Sequence, residues 1–119
     1  SAPYLLYSYA RAHSIFNKVG RVELRALPKL TEEAEIALMR KMVKFPDVLE
    51  SALHERKPHI IATFLYELCA EFNRFYGSTS VLNAKDDDAK RTRLGLVQAF
   101  MHELKTGLTL LGIPVLEKM

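Results

Sequence analysis

Two tyrosines, an arginine and a lysine recur at helical spacing near the start of the chain: Tyr4, Tyr7, Arg11 and Lys18. At about 100° per residue these side chains share one face of a helix. Aromatic rings and guanidinium planes stack on unpaired bases and cations hold phosphates, so the set has the chemistry of a single-stranded nucleic-acid site. Exposed tyrosines and basic residues also simply solvate a helix. This pattern alone therefore leaves both interpretations open.

The positive charge of the chain is concentrated near its start. The formal net charge is only +3, but residues 1–29 hold five basic residues and a single acidic one. A polyanion is therefore expected to approach this segment. Within it, Lys18 with Arg21 or Arg25 would neutralise backbone phosphates.

Residues that could carry catalysis or bind a metal are scattered. Cys69 lies in an apolar stretch without an evident activating base, and the run Asp86–Asp88 lacks the spaced ligands and glycine of a calcium loop. The four histidines do not form a metal-binding pair. They are His13, His54, His59 and His102. The sequence thus predicts neither a catalytic centre nor a metal site, and a stand-alone enzyme is the weaker interpretation.

The bulk composition indicates one globular domain spanning residues 1–119. With 49% hydrophobic and 26% charged residues the chain is typical of a folded protein, and the disordered and collagen-like classes are excluded. No apolar run approaches the roughly 20 residues that a bilayer crossing needs, and the start lacks the pattern of a signal peptide. The single cysteine cannot form an internal disulfide, which fits a cytoplasmic location.

The elements that must position these side chains are helices, because alternation of apolar and polar residues never persists. We predict an all-α fold of five helices. They run from Pro3 to Lys18 with a stop near Gly20, from Thr31 after a linker with Pro28 to about Lys44, from Pro46 to about Arg56, from Pro58 to the loop at Gly77, and from Asp86–Asp88 through Leu111. Thr31 is the expected cap of the second helix, and the triple aspartate is expected to cap the last.

Three of these helices carry an apolar stripe that predicts the core. The first presents Leu5, Tyr9, Ala12, Phe16 and Val19; the fourth presents Ile61, Phe64, Leu65, Leu68, Phe72 and Phe75; the last presents Leu94, Val97, Met101, Leu104, Leu108 and Leu111. The stripe of the last helix covers fewer than three heptads and has no flanking charge pattern. This favours a helix that lies along a bundle core over a coiled coil.

Taken in order, segments of the chain resemble the C-terminal, DALR-type anticodon-binding domain of arginyl-tRNA synthetases, a class I family. The segments are YLLYSYARAHSIF at 4–16, FPDVLESA at 45–52, KPHIIATFLYELCAEFNRFY at 57–76, RTRLGLVQAF at 91–100 and GLTLLGIPVLEKM at 107–119. Each segment is a weak signal alone, but together they are a strong one, and the resemblance as a whole spans essentially the entire chain.

The resemblance implies a five-helix bundle that binds the anticodon loop of arginine tRNA, with no cofactor of its own. It implies that ATP and magnesium belong to the catalytic domain of a longer parent chain, whose sequence signatures are not present here. The family's anticodon contacts correspond to Tyr4, Tyr7, Arg11, Tyr76 and Met119. Some relatives carry a basic residue in place of Asn17 and an aromatic near Ser80, so contacts at those two positions are not implied.

The leading hypothesis is therefore a tRNA-binding module, with neither DNA nor a membrane as partner. Its tRNA-binding residues are Tyr4, Tyr7, Arg11, Lys18, Tyr76 and Met119. The alternative is a helical protein-interaction module that uses the same face, because tyrosine and arginine also dominate protein interfaces.

Overall fold

The computed structural model describes residues 1–19 and 29–115, and these contain five α-helices. The helices are α1 (Ala2–Val19), α2 (Glu33–Met42), α3 (Phe45–Glu55), α4 (His59–Ser78) and α5 (Asp87–Leu110). This order confirms the predicted all-α class. The predictions that concern Gly20, Arg21, Arg25, Pro28 and Met119 lie outside the described residues.

Helix α4 is the centre of the bundle, since it packs against each of the other four helices. All six apolar residues predicted for its buried face are buried. The ring of Phe72 stacks on that of Phe100 in α5 with a centroid distance of 4.0 Å. Further along α5 is Gly107, where a Cβ atom would lie 2.7 Å from Leu65 of α4. The two longest helices approach this closely because Gly107 has no side chain.

Helix α1 packs on α5 and α4 through its predicted apolar face, with two differences in which residues are buried. Leu5, Tyr9 and Ala12 are buried as expected, and Ile15 and Ser8 are also buried. The predicted core residues Phe16 and Val19 are only partly buried. Ser8 is tolerated in the interior because its hydroxyl donates to the backbone carbonyl of Tyr4 at 3.0 Å.

One predicted detail of α2 is wrong, since the N-cap residue is Glu32 rather than Thr31. The helix ends at Met42, close to the predicted end near Lys44. The carboxylate of Glu35 accepts hydrogen bonds from the backbone N–H groups of both Thr31 and Glu32, each at 2.9 Å. A side chain from inside the helix thus satisfies free donors at the terminus where the Thr31 hydroxyl was expected to act.

The predicted cap of α5 is confirmed. The Asp86 carboxylate accepts from the backbone N–H of Ala89 at 2.8 Å, and Asp87 and Asp88 occupy the first turn. The triple aspartate therefore serves the helix terminus. Among the described residues, no helix is long and apolar enough to cross a bilayer.

Candidate nucleic-acid interface

An open cleft of about 1130 Å³ lies between the second half of α1 and the carboxyl end of α4. Residues of α1 from Tyr7 to Lys18 form one wall, and the residues from Tyr76 to Asn83 form the other. The second wall thus joins the end of a core helix to the loop that follows it. This arrangement brings Tyr76 to the same cleft as Tyr7, Arg11 and Lys18, which are distant from it in sequence.

Arg11 is the centre of the cleft. Its guanidinium carbon lies 4.3 Å from the ring centroid of Tyr76 and 5.1 Å from that of Tyr7. Its Nη2 also donates to the Tyr7 hydroxyl at 3.3 Å. Both rings remain open to solvent, with Tyr7 54% exposed and Tyr76 43% exposed. Three flat groups that can stack on a base therefore lie together on an accessible surface.

Asn73 of α4 connects Arg11 to the helical bundle by hydrogen bonds. Its Oδ1 accepts from Nη1 of Arg11 at 2.9 Å. Its Nδ2 donates to the Tyr4 hydroxyl at 3.2 Å and to Oγ of the buried Ser8 at 3.1 Å. One amide on α4 thereby holds three side chains that lie on successive turns of α1.

Tyr4 occupies a different position from Tyr7. It does not line the cleft, and its ring stacks on that of Tyr66 in α4 at a centroid distance of 6.0 Å. Its exposed fraction is 37%, so part of the ring is accessible. The structure therefore places Tyr4 beside the cleft, connected to Arg11 through Asn73.

The electrostatic character of the cleft is cationic. Lys18 is exposed at the far end of the α1 wall, and His13 lies one turn beyond Tyr9 on the same wall. The Nδ2 of Asn17 lies 3.1 Å from Nδ1 of His13. No aspartate or glutamate is found among the described residues that line the cleft. An anionic ligand therefore meets no opposing carboxylate on these walls.

A buried ion pair contacts the loop that forms part of the second cleft wall. Arg93 of α5 donates from Nε to Glu35 of α2 at 2.8 Å and from Nη1 to the carbonyl oxygen of Ser80 at 2.7 Å. Burial by itself raises the pKa of the Glu35 carboxyl, but the Glu32 N–H, the Arg93 guanidinium and the Thr31 N–H together lower it below its usual value. Glu35 is therefore ionised, and Arg93 links the starts of α2 and α5 to the cleft loop.

Three of these residues were missed by the sequence analysis: Asn73, Glu35 and Arg93. A signal for Asn73 existed, since it is a polar residue three positions before Tyr76 and it faces the buried Ser8. A small polar residue within an apolar stripe, such as Ser8, indicates a hydrogen bond with a neighbouring element. Glu35 resembled an ordinary first-turn acid, so its partner Arg93 could not be identified before the fold was known.

The other chemistry-bearing residues have structural environments. Cys69 is fully buried, and burial raises the pKa of its thiol to about 12 despite a hydrogen bond with Ser8, so the reactive thiolate is suppressed. Within residues 1–19 and 29–115 no three His, Cys, Asp or Glu side chains are grouped closely enough to hold a metal ion.

The fold and the cleft thus define an all-helical domain with a cationic, aromatic surface between its first and fourth helices. Residues 5–119 match the family model described as the DALR anticodon binding domain, and the chain belongs to this family.

The chain is similar throughout its length to proteins named arginine-tRNA ligase. It is 40% identical over 121 residues to that of Aliivibrio fischeri and 42% identical over 123 residues to that of Clostridium beijerinckii. Its fold is similar to part of the structure of Thermus thermophilus arginyl-tRNA synthetase, with a TM-score of 0.92 and 38% identity over the whole chain. The chain spans 21% of the length of each of these three proteins.

Proposed function

We propose that this chain is the anticodon-recognition domain of an arginine-tRNA ligase and binds the anticodon loop of arginine tRNA in the cleft between α1 and α4. The observation that carries the proposal is the position of Arg11 between the exposed rings of Tyr7 and Tyr76, in a cleft with no carboxylate on its described walls. The family match and the similarity of the whole of this chain to part of the arginine-tRNA ligases support it.

In this proposal the unpaired anticodon bases stack on Tyr7 and Tyr76, and the guanidinium of Arg11 stacks on a base or donates to its edge. Lys18 neutralises a phosphate at the end of the cleft. Arg21 or Arg25, which are not among the described residues, neutralises a further phosphate. Tyr4 offers a further stacking surface beside the cleft. Met119 stays a proposed contact that comes only from the family resemblance.

The chemical step belongs, in the same proposal, to a catalytic domain elsewhere in a longer cytoplasmic protein, which binds ATP and magnesium. The domain described here contributes binding free energy and discrimination between tRNAs, and it needs no cofactor for that role. Because the cleft is separate from the catalytic domain, mutations in it should change tRNA binding without changing the chemistry.

The test is a fluorescence titration of the 119-residue chain with an anticodon stem-loop of arginine tRNA. Removing one stacking ring costs on the order of 1–3 kcal/mol, so Tyr7→Ala should weaken binding by about 5-fold to 150-fold. Tyr7→Phe keeps the ring and should bind nearly as the native chain does. Leu53→Ala, on the exposed surface of α3, is the control for a nonspecific effect of substitution.

Two results would contradict the proposal: equal binding by the native chain and Tyr7→Ala, or equal affinity for a hairpin with the same stem and an unrelated loop. The protein-interaction alternative is not favoured by the family match. It predicts binding that changes little with ionic strength, whereas RNA binding should weaken steeply as salt is added.

A further inference from the structure

We propose that Asn73 is a positioning residue that aims Arg11 at the ligand through a neutral amide, so that its own contact does not compensate the positive charge of Arg11. This inference rests on the proposed RNA-binding function and assigns a role to a residue that does not line the cleft itself. Three observations carry it: the orientation of the Asn73 amide, the neutral acceptors that the structure describes around Arg11, and the contrast with Arg93, which also links distant elements.

The orientation of the Asn73 amide is determined by its neighbours. A guanidinium has only donors, so the atom that lies 2.9 Å from Nη1 of Arg11 must be the amide oxygen. The amide nitrogen then has its two protons for the Tyr4 hydroxyl and Ser8 Oγ, which it contacts at 3.2 and 3.1 Å. A flipped amide would place donors against donors at Arg11. The hydrogen bonds therefore select one orientation, and Arg11 is held against a fixed acceptor.

The acceptor at Arg11 is neutral. Asn73 and the Tyr7 hydroxyl bind one guanidinium nitrogen each, and neither carries a negative charge. Arg93, in contrast, is paired with the ionised carboxylate of Glu35 and its side chain is 8% exposed. An aspartate at position 73 would hold Arg11 in the same place, but it would cancel the charge that attracts a phosphate backbone. The Asn73 amide thus positions Arg11 without neutralising its charge.

The arrangement also leaves donors available. Arg11 has five N–H groups, and Asn73 and Tyr7 each engage one of them. The guanidinium carbon lies near both aromatic rings, so the remaining donors are held at the place where a base would stack. Fixing the side chain before the ligand binds lowers the ordering cost of association. Loss of Asn73 is therefore expected to weaken binding even though Asn73 touches no ligand.

The decisive variant is Asn73→Asp, measured with the arginine anticodon stem-loop at about 0.1 M salt. We expect affinity to fall about tenfold and the salt dependence to become shallower, since Arg11 and the introduced carboxylate would form a neutral pair. Ser51→Asp is the control for an added carboxylate, because Ser51 is exposed on α3 and does not line the cleft. The control should lose at most about threefold.

A double-mutant cycle separates positioning from a general effect of charge. In an Arg11→Ala background, Asn73→Asp should change affinity by no more than about threefold, because the group that it acts through is gone. If the tenfold loss persists in that background, or if Asn73→Asp and Ser51→Asp are equally weakened, the proposal is overturned.

A readout without RNA makes the result independent of the binding function. In the native chain the Nε–Hε group of Arg11 should give an ordered, distinct NMR resonance, and in Asn73→Ala it should become mobile and shift toward the solvent-exposed value. An unchanged Arg11 resonance in Asn73→Ala would overturn the role of Asn73. If the native chain failed to bind any tRNA hairpin, the proposed function would fail, while the NMR comparison would still decide whether Asn73 positions Arg11.

Discussion

The molecule holds two arginines in opposite ways. Arg11 lies on an open cleft between two aromatic rings and a neutral amide, whereas Arg93 is enclosed between helices and paired with the carboxylate of Glu35. Both connect elements that are distant in sequence. The charge of Arg93 is compensated by Glu35, whereas the hydrogen-bond partners described for Arg11 are uncharged.

The group that contacts an arginine side chain indicates the role of that arginine. A buried guanidinium needs a carboxylate, because an unpaired charge in the interior costs several kcal/mol. A guanidinium at a binding surface loses its usefulness if a carboxylate neutralises it first. Sequence position does not separate these cases, since both residues lie on helices near aromatic or apolar neighbours. The charge of the contacting acceptor does separate them.

Loss of Arg93 should change the stability of the protein more than any other substitution considered below. Arg93→Met leaves the Glu35 carboxylate buried without its partner and should lower the free energy of unfolding by about 3–5 kcal/mol. Arg11→Met, at the partly buried site on the cleft, should lower it by less than about 1 kcal/mol. Urea unfolding monitored by circular dichroism measures both values.

The control for this prediction is the double variant Glu35→Gln with Arg93→Met. It removes the unpaired charge but keeps an amide oxygen that can accept from the backbone of Thr31 and Glu32, so it should regain part of the lost stability. Equal losses in Arg93→Met and Arg11→Met would show that the contrast between the two sites is not energetic.

The second prediction concerns ligand binding by Arg11. Arg11→Lys keeps the positive charge but cannot reproduce the planar contacts with Asn73, Tyr7 and Tyr76. We expect affinity for the arginine anticodon stem-loop to fall about tenfold, or about 1.4 kcal/mol, with unfolding nearly unchanged. Fluorescence anisotropy gives the affinity. Native affinity in Arg11→Lys would mean that only the charge matters.

A third prediction uses a carboxyl group that differs from Glu35 in its surroundings. Oε1 of Glu103 is buried and has no hydrogen-bond partner among the described residues. Burial raises the pKa of this carboxyl from its ordinary 4.5 to about 8. The folded protein therefore keeps a proton that the unfolded chain releases, and stability should fall as the pH rises from about 5 to about 8.

Glu103→Gln should remove this pH dependence. Because the side chain retains some solvent contact, the gain should be on the order of 1 kcal/mol at about pH 8.5 and should vanish near pH 5. Thermal unfolding across this pH range measures it, with the exposed Glu50→Gln on α3 as the control. A constant difference between Glu103→Gln and the native chain at all pH values would disprove the role of the buried proton.

The smallest expected effect is at Lys18, the exposed cation at the end of the cleft. Lys18→Ala removes one phosphate contact and should make the slope of log affinity against log salt less negative by about 0.7. The affinity itself should change only a few-fold at moderate salt. Titrations with the same stem-loop at several salt concentrations give the slope. An unchanged slope would remove Lys18 from the proposed interface.

Much of the fold was predictable because it depends on local patterns. The apolar stripe of α4 and the Asp86 cap of α5 were both confirmed, since helix periodicity and capping involve residues within a few positions of each other. The error at Thr31 arose because the N-cap residue is a glutamate, which is not among the preferred N-cap residues, and the Glu35 side chain three positions later completes the cap by accepting from the Glu32 N–H.

The cleft itself was half predictable. The spacing of Tyr7, Arg11 and Lys18 placed them on one accessible face of α1 without any knowledge of the fold, because a single helix determines that relation. Tyr76 entered only through the family resemblance, and Asn73 was missed. Their distance from Arg11 depends on how α4 packs against α1, and no spacing along the chain encodes that distance.

Residue order along single helices therefore accounts for which side chains are available: two rings and two cations on α1, and an apolar stripe on α4. Packing of α4 between its neighbours accounts for which of them meet. It brings the Asn73 amide to Arg11 and to the Tyr4 hydroxyl, while the packing of α2 against α5 pairs Arg93 with Glu35. The physical reason is the range of each effect. Helix propensity and periodicity act between residues within one or two turns, whereas the acceptor of an arginine depends on which group tertiary packing brings within about 3 Å of it.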